Sequence, residues 1–216
     1  MSVELRPGLI HHPGFLDEAA RIRLAGEVSA ILAAAPPFTP RMPRTGKPFS
    51  VRMGGAGPLC WVSDEAGYRY QPHHPVTGEP WPPIPPTALA AWDQLAPGAP
   101  PPEACLINLY GPEARMGLHQ DRDEEDFDAP VLSLSLGAAA LFRYGGLSRS
   151  DPTRSVRLMS GDAVVIGGPS RLAFHGIDRI YREPDLLAQD PLPSLLPPGG
   201  RCNLTLRRVT RAHAVT

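Results

Sequence analysis

Twenty-eight of the chain's 216 residues are proline, and no other feature narrows its folding choices as far. Proline fixes φ and has no N–H to give to a ladder, so a chain this rich in it builds short strands and structured loops rather than long helices. Hydrophobic residues make up 42% and charged residues 20%, the proportions of an ordinary globular protein. A chain of this length buries a sizeable core without disulfide staples, so one domain spanning 1–216 is expected.

Two helices are predicted. Asp17 can cap a helix over Leu16 to Ala34, where Ala20, Ile22, Leu24, Val28, Ile31 and Leu32 recur at helical spacing, and a short helix is expected around Ala88 to Leu95. Between Val28 and Ser63 there is no acidic residue, while Arg41, Arg44, Lys47 and Arg52 stand among prolines and glycines, which reads as a basic, loop-rich hairpin. Gly54-Gly55-Ala56-Gly57 lacks the helix that follows a nucleotide fingerprint and reads as a flexible turn. YQPHHPVTGEPWPPIPP, Tyr70 to Pro86, holds too much proline for regular structure. Its His73 and His74 are adjacent, point opposite ways on an extended chain and make a poor metal pair. Trp81 and Trp92 read as core.

Beyond Glu103 the texture turns to short β-like runs: ACLINLY, VLSLSLG, ALFRYGG, SVRLMS, DAVVIGG, RLAFHG and CNLTLRRV, parted by Gly, Pro, Asp and Ser. Leu132, Leu134 and Leu136 alternate with Ser133 and Ser135, the period of a half-buried strand. Seven such runs predict a sandwich or barrel. The net charge of −1 excludes a globally basic nucleic-acid binder, leaving room only for a local basic patch. Cys60, Cys105 and Cys202 are odd in number and widely spaced, which fits a reducing compartment better than a disulfide framework or a zinc site. The opening MSVELRPGLIHHPGF has neither the basic nor the apolar region of a secretory signal, and no long apolar run follows, so a cytoplasmic location is expected.

The chemistry-bearing pattern is His119-x-Asp121 in GLHQDRDEED, with His175 at the end of the later run LAFHGI. Residues two apart on an extended backbone project to one side, and a histidine from a neighbouring strand completes a face. Two imidazoles and one carboxylate leave the remaining octahedral positions open, as non-heme Fe(II) needs to bind a co-substrate and O₂. An isolated H-x-D is also what a surface histidine beside a solvated acidic run looks like, and the rest of the run Asp121 to Asp128 reads as a solvated turn. The last run sharpens the choice. Arg201, Asn203, Thr205 and Arg207 share one face, opposite Cys202, Leu204 and Leu206. Buried, such a row calls for an anion, and a dicarboxylate suits a guanidinium fork; on an edge strand it would simply be wet. Asn108 and Tyr110 form a second polar pair at the same spacing.

These segments resemble the AlkB family of Fe(II)/2-oxoglutarate-dependent nucleic-acid dealkylases, in its bacterial DNA-repair branch. The likeness runs through NLYGPEARMGLHQDRDEEDFDAPVLSLSLG, FRYGGLSRSDP, GDAVVIGGPSRLAFHG and RCNLTLRR, and upstream through SVRM, CWVSDEAGYRY and PVTGEPWPPIP, from about Phe38 to Arg208. It implies an α+β fold: a double-stranded β-helix (jelly-roll) core of two packed sheets over 103–210, an N-terminal helical part over 1–37 and a basic nucleotide-recognition lid over 38–70. It implies His119, Asp121 and His175 as iron ligands and the catalytic centre, and Asn108, Tyr110, Arg201, Asn203 and Arg207 as 2-oxoglutarate contacts, with Arg201 on the distal carboxylate. Trp61 and Tyr68 match base-pocket aromatics, Trp61 stacking on a flipped base with His119 on its other side. Asp123 matches a carboxylate at the base's exocyclic edge, and Met53 and Arg149 match further pocket and lid positions. Ile166 stands where the family pattern suggests a tryptophan, and the order of lid residues before SVRM departs from the usual one.

The activity so implied is oxidative demethylation of 1-methyladenine and 3-methylcytosine type bases in DNA, releasing formaldehyde, succinate and CO₂, with Fe(II) as cofactor and 2-oxoglutarate and O₂ as co-substrates. The implied partner is alkylated DNA, single-stranded by preference, with RNA as a further candidate; no membrane is expected, and the protein is expected to be a monomer. Two alternatives use the same residues: a 2-oxoglutarate-dependent hydroxylase of a protein or small molecule, and a β-barrel that binds a dicarboxylate or nucleic acid without turnover.

Overall fold

A computed structural model describes residues 1–181, 196 and 199–211. The N-terminus forms a hairpin of β1 (Val3–Arg6) and β2 (Leu9–His12), followed by helix α1 (Glu18–Ala34). Strands β3 (Val51–Ala56), β4 (Cys60–Asp64) and β5 (Gly67–Gln71) precede α2 (Pro86–Leu95). Then come β6 (Ala104–Tyr110), β7 (Met116–His119), β8 (Val131–Gly137), β9 (Ala140–Tyr144), β10 (Arg154–Leu158), β11 (Ala163–Ile166), β12 (His175–Ile180) and β13 (Arg201–Arg207). A seven-stranded sheet has the order β1-β2-β11-β8-β13-β6-β3, a four-stranded sheet the order β10-β9-β12-β7, and β4-β5 stand apart as a hairpin. From β6 onward the chain passes back and forth between the two larger sheets, with β9 and β10 a hairpin inside the smaller one, which makes the core a jelly roll.

Side-chain parity assigns the layers. Cys202, Leu204 and Leu206 of β13, with Leu132, Leu134 and Leu136 of β8 and Ile107 and Leu109 of β6, pack against Leu24, Val28, Leu32 and Trp92 of the two helices. The opposite face of the same sheet, through Tyr110, Val131, Val164 and Ile166, meets Phe142, Tyr144, Ile177 and Ile180 of the smaller sheet. Burying each large aliphatic side chain contributes roughly 1.5–3 kcal/mol, so the helices are held by packing rather than by propensity. Asp17 caps α1 by accepting from the Ala20 amide at 2.7 Å, a contact worth about 1 kcal/mol.

Several expectations are corrected. The first residues are not helical: β1 and β2 turn at Pro7-Gly8, where Gly8 has φ +80°, and β2 pairs with β11, extending the large sheet. Within α1, Ile22 lies on the exposed side. Gly54 to Ala56 are not a flexible turn but the buried end of β3, paired to β6; a Cβ at Gly55 would lie 2.1 Å from Cys60 Sγ, so the glycines admit the crossing of β4. RLAFHG is strand only at its last two residues, His175 and Gly176. Residues 171–174 leave a 3₁₀ turn, and β12 begins at His175. Tyr70 to Pro86 is ordered around buried His74, whose Nε2 meets the Pro36 carbonyl at 2.8 Å, while its Nδ1 accepts the Val76 and Thr77 amides. His73 is exposed, and Trp81 and Trp92 are buried. No helix among the described residues is long and apolar enough to cross a membrane.

Candidate active site

The pairing of β7 with β12 sets His119 directly opposite His175, with ring centroids 4.6 Å apart. Gly176 makes this approach possible: a Cβ there would fall 2.5 Å from the Met116 carbonyl oxygen. Each imidazole is oriented from behind, His119 Nδ1 by the Gly117 carbonyl at 2.9 Å and His175 Nδ1 by the Ala173 carbonyl at 3.0 Å. An Nδ1-protonated ring donates to that carbonyl and leaves Nε2 as the lone pair facing inward. Asp121, just past the end of β7, presents Oδ1 at 3.8 Å from His119 Nε2 and Oδ2 at 3.9 Å from His175 Nε2. The intervening Gln120 turns away, its amide tied to the Leu172 carbonyl at 2.6 Å. The three donor atoms lie within 4.8 Å of one another, so one ion can take all three, and the 2-His-1-carboxylate set fits a divalent iron with open positions.

The electrostatics suit that role. Burial alone would raise the Asp121 carboxyl, but the Arg207 guanidinium, then the two imidazoles, outweigh it and hold the group well below the usual carboxylate range. Burial, reinforced by His119, pushes His175 down to about 4. At neutral pH the face therefore offers an ionised carboxylate and a neutral His175, the protonation states a metal requires.

Beside it, β13 runs between β8 and β6, in register with both, so the edge-strand alternative does not hold. Its polar row looks inward. Arg201 is fully buried, with Nη2 2.6 Å from Ser135 Oγ, Nη1 3.1 Å from the Ala138 carbonyl and Nε without a partner. Burial lowers its pKa and raises that of Tyr110, its cross-strand neighbour. Asn108, opposite Asn203, has its buried Oδ1 unpartnered. Asn203 Nδ2 donates to Ser133 Oγ and the Leu134 carbonyl, and Thr205 Oγ1 to Asn203 Oδ1. Arg207 sits against Asp121, Nη2 to Oδ1 at 3.0 Å and Nε to Oδ2 at 3.2 Å. Unpartnered buried polar atoms are costly unless something fills them. A guanidinium whose neighbours here are a hydroxyl and a carbonyl fits a carboxylate-bearing ligand.

The metal face, Asn108, Tyr110 and the polar row of β13 line one cavity of about 860 Å³, which also takes in Met53, Trp61, Tyr68, Asp123 and Arg149. Trp61 donates Nε1–H to Asp123 Oδ2 at 2.8 Å and stacks on Tyr68 with centroids 5.5 Å apart, so Tyr68 backs one face of its ring. Met53 is buried on β3, Ile166 is a buried wall residue, and Arg149 is exposed, its Nη1 on the Leu118 carbonyl. Arg41, Arg44, Lys47 and Arg52 stand in solvent. Sequence reasoning passes over Glu124, Tyr70 and Arg171. The acidic run is no solvated turn throughout, since Glu124 and Asp126 are buried, Glu124 against Arg171 Nη2 at 3.2 Å. The available signal was a lone arginine heading the apolar run RLAF.

Comparison with known proteins agrees with this geometry. The model of the 2OG-Fe(II) oxygenase superfamily matches residues 8–207. The alpha-ketoglutarate-dependent dioxygenase AlkB homolog of Caulobacter vibrioides is 52% identical over 208 residues, covering 95% of this chain and 90% of that protein. AlkB of Escherichia coli is 45% identical over 150 residues, 68% of this chain and 69% of that protein. The solved structure of OsALKBH1 superposes with a TM-score of 0.76 at 31% identity, covering 96% of this chain and all of that one. With its jelly roll, its His-Asp-His face and this extent of identity, the chain belongs to the 2OG-Fe(II) oxygenase superfamily, and within it to the AlkB family of bacterial dioxygenases.

Proposed function

We infer that the protein oxidatively removes methyl groups from 1-methyladenine and 3-methylcytosine type bases in DNA, releasing formaldehyde, succinate and CO₂. It is a dioxygenase that uses Fe(II), with 2-oxoglutarate and O₂ as co-substrates. The observation that carries the reading is the meeting, in one cavity, of the His119-Asp121-His175 face, the β13 anion row and the Trp61–Asp123 pair. His119, Asp121 and His175 hold the metal. Arg201, with Tyr110 beside it, takes the distal carboxylate of 2-oxoglutarate, while Asn108, Asn203 and Arg207 orient the rest. When bound, iron and its co-substrates supply the oxidising power that places a hydroxyl on the N-alkyl carbon, and that carbon then leaves as formaldehyde.

The chain's own side chains choose and hold the base. Trp61 offers its free face for stacking, a contact worth roughly 1–3 kcal/mol, and Met53 closes the apolar wall. Bases alkylated on the pairing edge carry positive charge and pair badly, so they cost less to flip out. Asp123 favours that charge by about 1 kcal/mol at 4 Å in bulk water and by about 4 once water is displaced, so discrimination grows as the base seals the pocket. Arg149, the basic loop carrying Arg41, Arg44 and Lys47, and the exposed Arg52 on β3 meet phosphates without reading sequence. A flipped-out base is reached most readily from a single strand, which makes single-stranded DNA the preferred partner, with RNA a second one. One iron site and one lid make a monomer sufficient, and the cytoplasm supplies both substrate and reductant. In the direct test, oligonucleotides bearing one 3-methylcytosine, in single-stranded DNA, duplex DNA and RNA, are incubated with Fe(II), 2-oxoglutarate and air. Loss of one methyl mass with matching succinate and formaldehyde is expected, fastest on single-stranded DNA; succinate without demethylation would move the search to the protein or small-molecule hydroxylase.

A further inference from the structure

Glu124 and Tyr70 touch neither the metal face's imidazoles nor the β13 anion row's Arg201, yet their geometry ties them to Asp121; their role rests on the assignment of His119, Asp121 and His175 as ligands. Arg207 Nε lies 3.2 Å from Asp121 Oδ2 and 3.4 Å from Glu124 Oε1. One guanidinium is thus shared between the carboxylate of the metal face and a second carboxylate whose side chain is 2% exposed. Glu124 is itself fixed from two sides. Arg171 Nη2 reaches its Oε2 at 3.2 Å, and the Tyr70 hydroxyl donates to Oε1. Arg171 in turn is clamped by the main-chain carbonyls of Asp121 at 2.8 Å and Ala129 at 2.9 Å. Tyr70 is the cross-strand partner of Trp61, whose indole holds Asp123. The β4-β5 hairpin therefore grips two consecutive acids, one from each strand.

Arg207 engages both Asp121 oxygens, one of which a metal must also use. A divalent cation there draws electron density from that carboxylate and repels the guanidinium, which weakens the hold of Arg207 on the shared oxygen. The acceptor already in reach of Nε is Glu124. We propose that Glu124 is the alternate acceptor for Arg207, held ready by Tyr70 and Arg171, and so a positioning residue that frees Asp121 for the metal. Through Tyr70 the lid hairpin has a direct hold on the metal face. Outer partners of this kind tune metal affinity without touching the ion.

The test titrates Mn(II) into the metal-free protein, without nucleic acid, and reads free Mn(II) by electron paramagnetic resonance at a temperature where circular dichroism shows each variant folded. Glu124→Gln is expected to weaken binding by roughly 10- to 100-fold and Tyr70→Phe by about 3-fold, as for loss of an outer-shell partner. Glu125→Gln, which removes the same charge from the exposed neighbouring residue, should bind as wild type, and His175→Ala should not bind. Wild-type affinity in both Glu124→Gln and Tyr70→Phe, with binding lost in His175→Ala, overturns the inference and leaves the metal site standing. An equal loss in Glu125→Gln also overturns it, because general charge would then explain the effect. Wild-type affinity in His175→Ala overturns the ligand assignment and the inference with it. Should Glu124→Gln fail to fold, Tyr70→Phe, which deletes a single oxygen atom, decides.

Discussion

β13 and the β4-β5 hairpin form two walls of one cavity and are built in opposite ways. On β13, ladder partners on both sides hold Arg201, Asn203 and Arg207 in register, and Arg201 has no exposed surface. The hairpin has two strands only, and its Trp61 is half-buried while Tyr68 is 50% exposed. A two-stranded ribbon is marginal by itself, and this one is anchored through Asp123 and Glu124 to the loop that carries Asp121. The difference teaches where rigidity serves recognition. On the proposed function, a small dicarboxylate of constant shape would be met by a wall organised in advance, and a base on a polymer by a wall still open to solvent.

The sharpest way to break the contrast is Arg201→Met. Losing a buried charged partner of a bound carboxylate costs about 2–5 kcal/mol, so the KM for 2-oxoglutarate should rise at least tens of fold with little change in affinity for DNA. A matching loss of DNA affinity would merge the two walls into one. Asp123→Asn should act on the other wall alone. Preference for cationic 3-methylcytosine should fall by about tenfold, as for loss of a 1–2 kcal/mol charge contact, while succinate formation without DNA stays unchanged.

Smaller again is the effect of the loop charges. Replacing Arg41, Arg44 and Lys47 together by Gln should flatten the salt dependence of single-strand binding by about 2 in log–log slope, since each phosphate contact contributes about 0.7; fluorescence anisotropy across ionic strengths reads this. A pH effect falls on the stability of the metal-free protein rather than on recognition. His175 titrates at about 4 when folded against an ordinary 6.5, so between those values the unfolded chain takes up a proton that the folded one refuses. Stability should fall as pH drops from about 6.5 to 4, and His175→Ala should lose that part of the slope in thermal melts.

How much of this was legible depended on the length and symmetry of each run. β6, β8 and β13 match the predicted runs closely because each is seven residues long with no turn residue inside it; the alternation in β8 suggests a half-buried strand, but both of its faces are covered, Ser135 included. Asp17 and the apolar spacing located α1. β7 could not be read from MGLH, whose four residues follow a proline turn and gain strand character only by pairing with β12. RLAFHG looked like a strand because apolar residues packing a 3₁₀ turn have the same composition. His119, Asp121 and His175 were legible through their spacing and the family likeness, but Glu124 was not: an acid paired to Arg171 and Arg207 reads in sequence like any other in an acidic run.

The central claim is that the β13 wall and the metal face run the oxidation while the hairpin selects the base, and it is tested most directly by measuring succinate and demethylation side by side in Trp61→Ala and His175→Ala. Trp61→Ala is expected to keep 2-oxoglutarate turnover while demethylating a 3-methylcytosine oligonucleotide about 5- to 150-fold more slowly, in line with a stacking contact of roughly 1–3 kcal/mol, and His175→Ala is expected to lose both. Parallel loss of both products in Trp61→Ala, or demethylation surviving in His175→Ala, would contradict the claim.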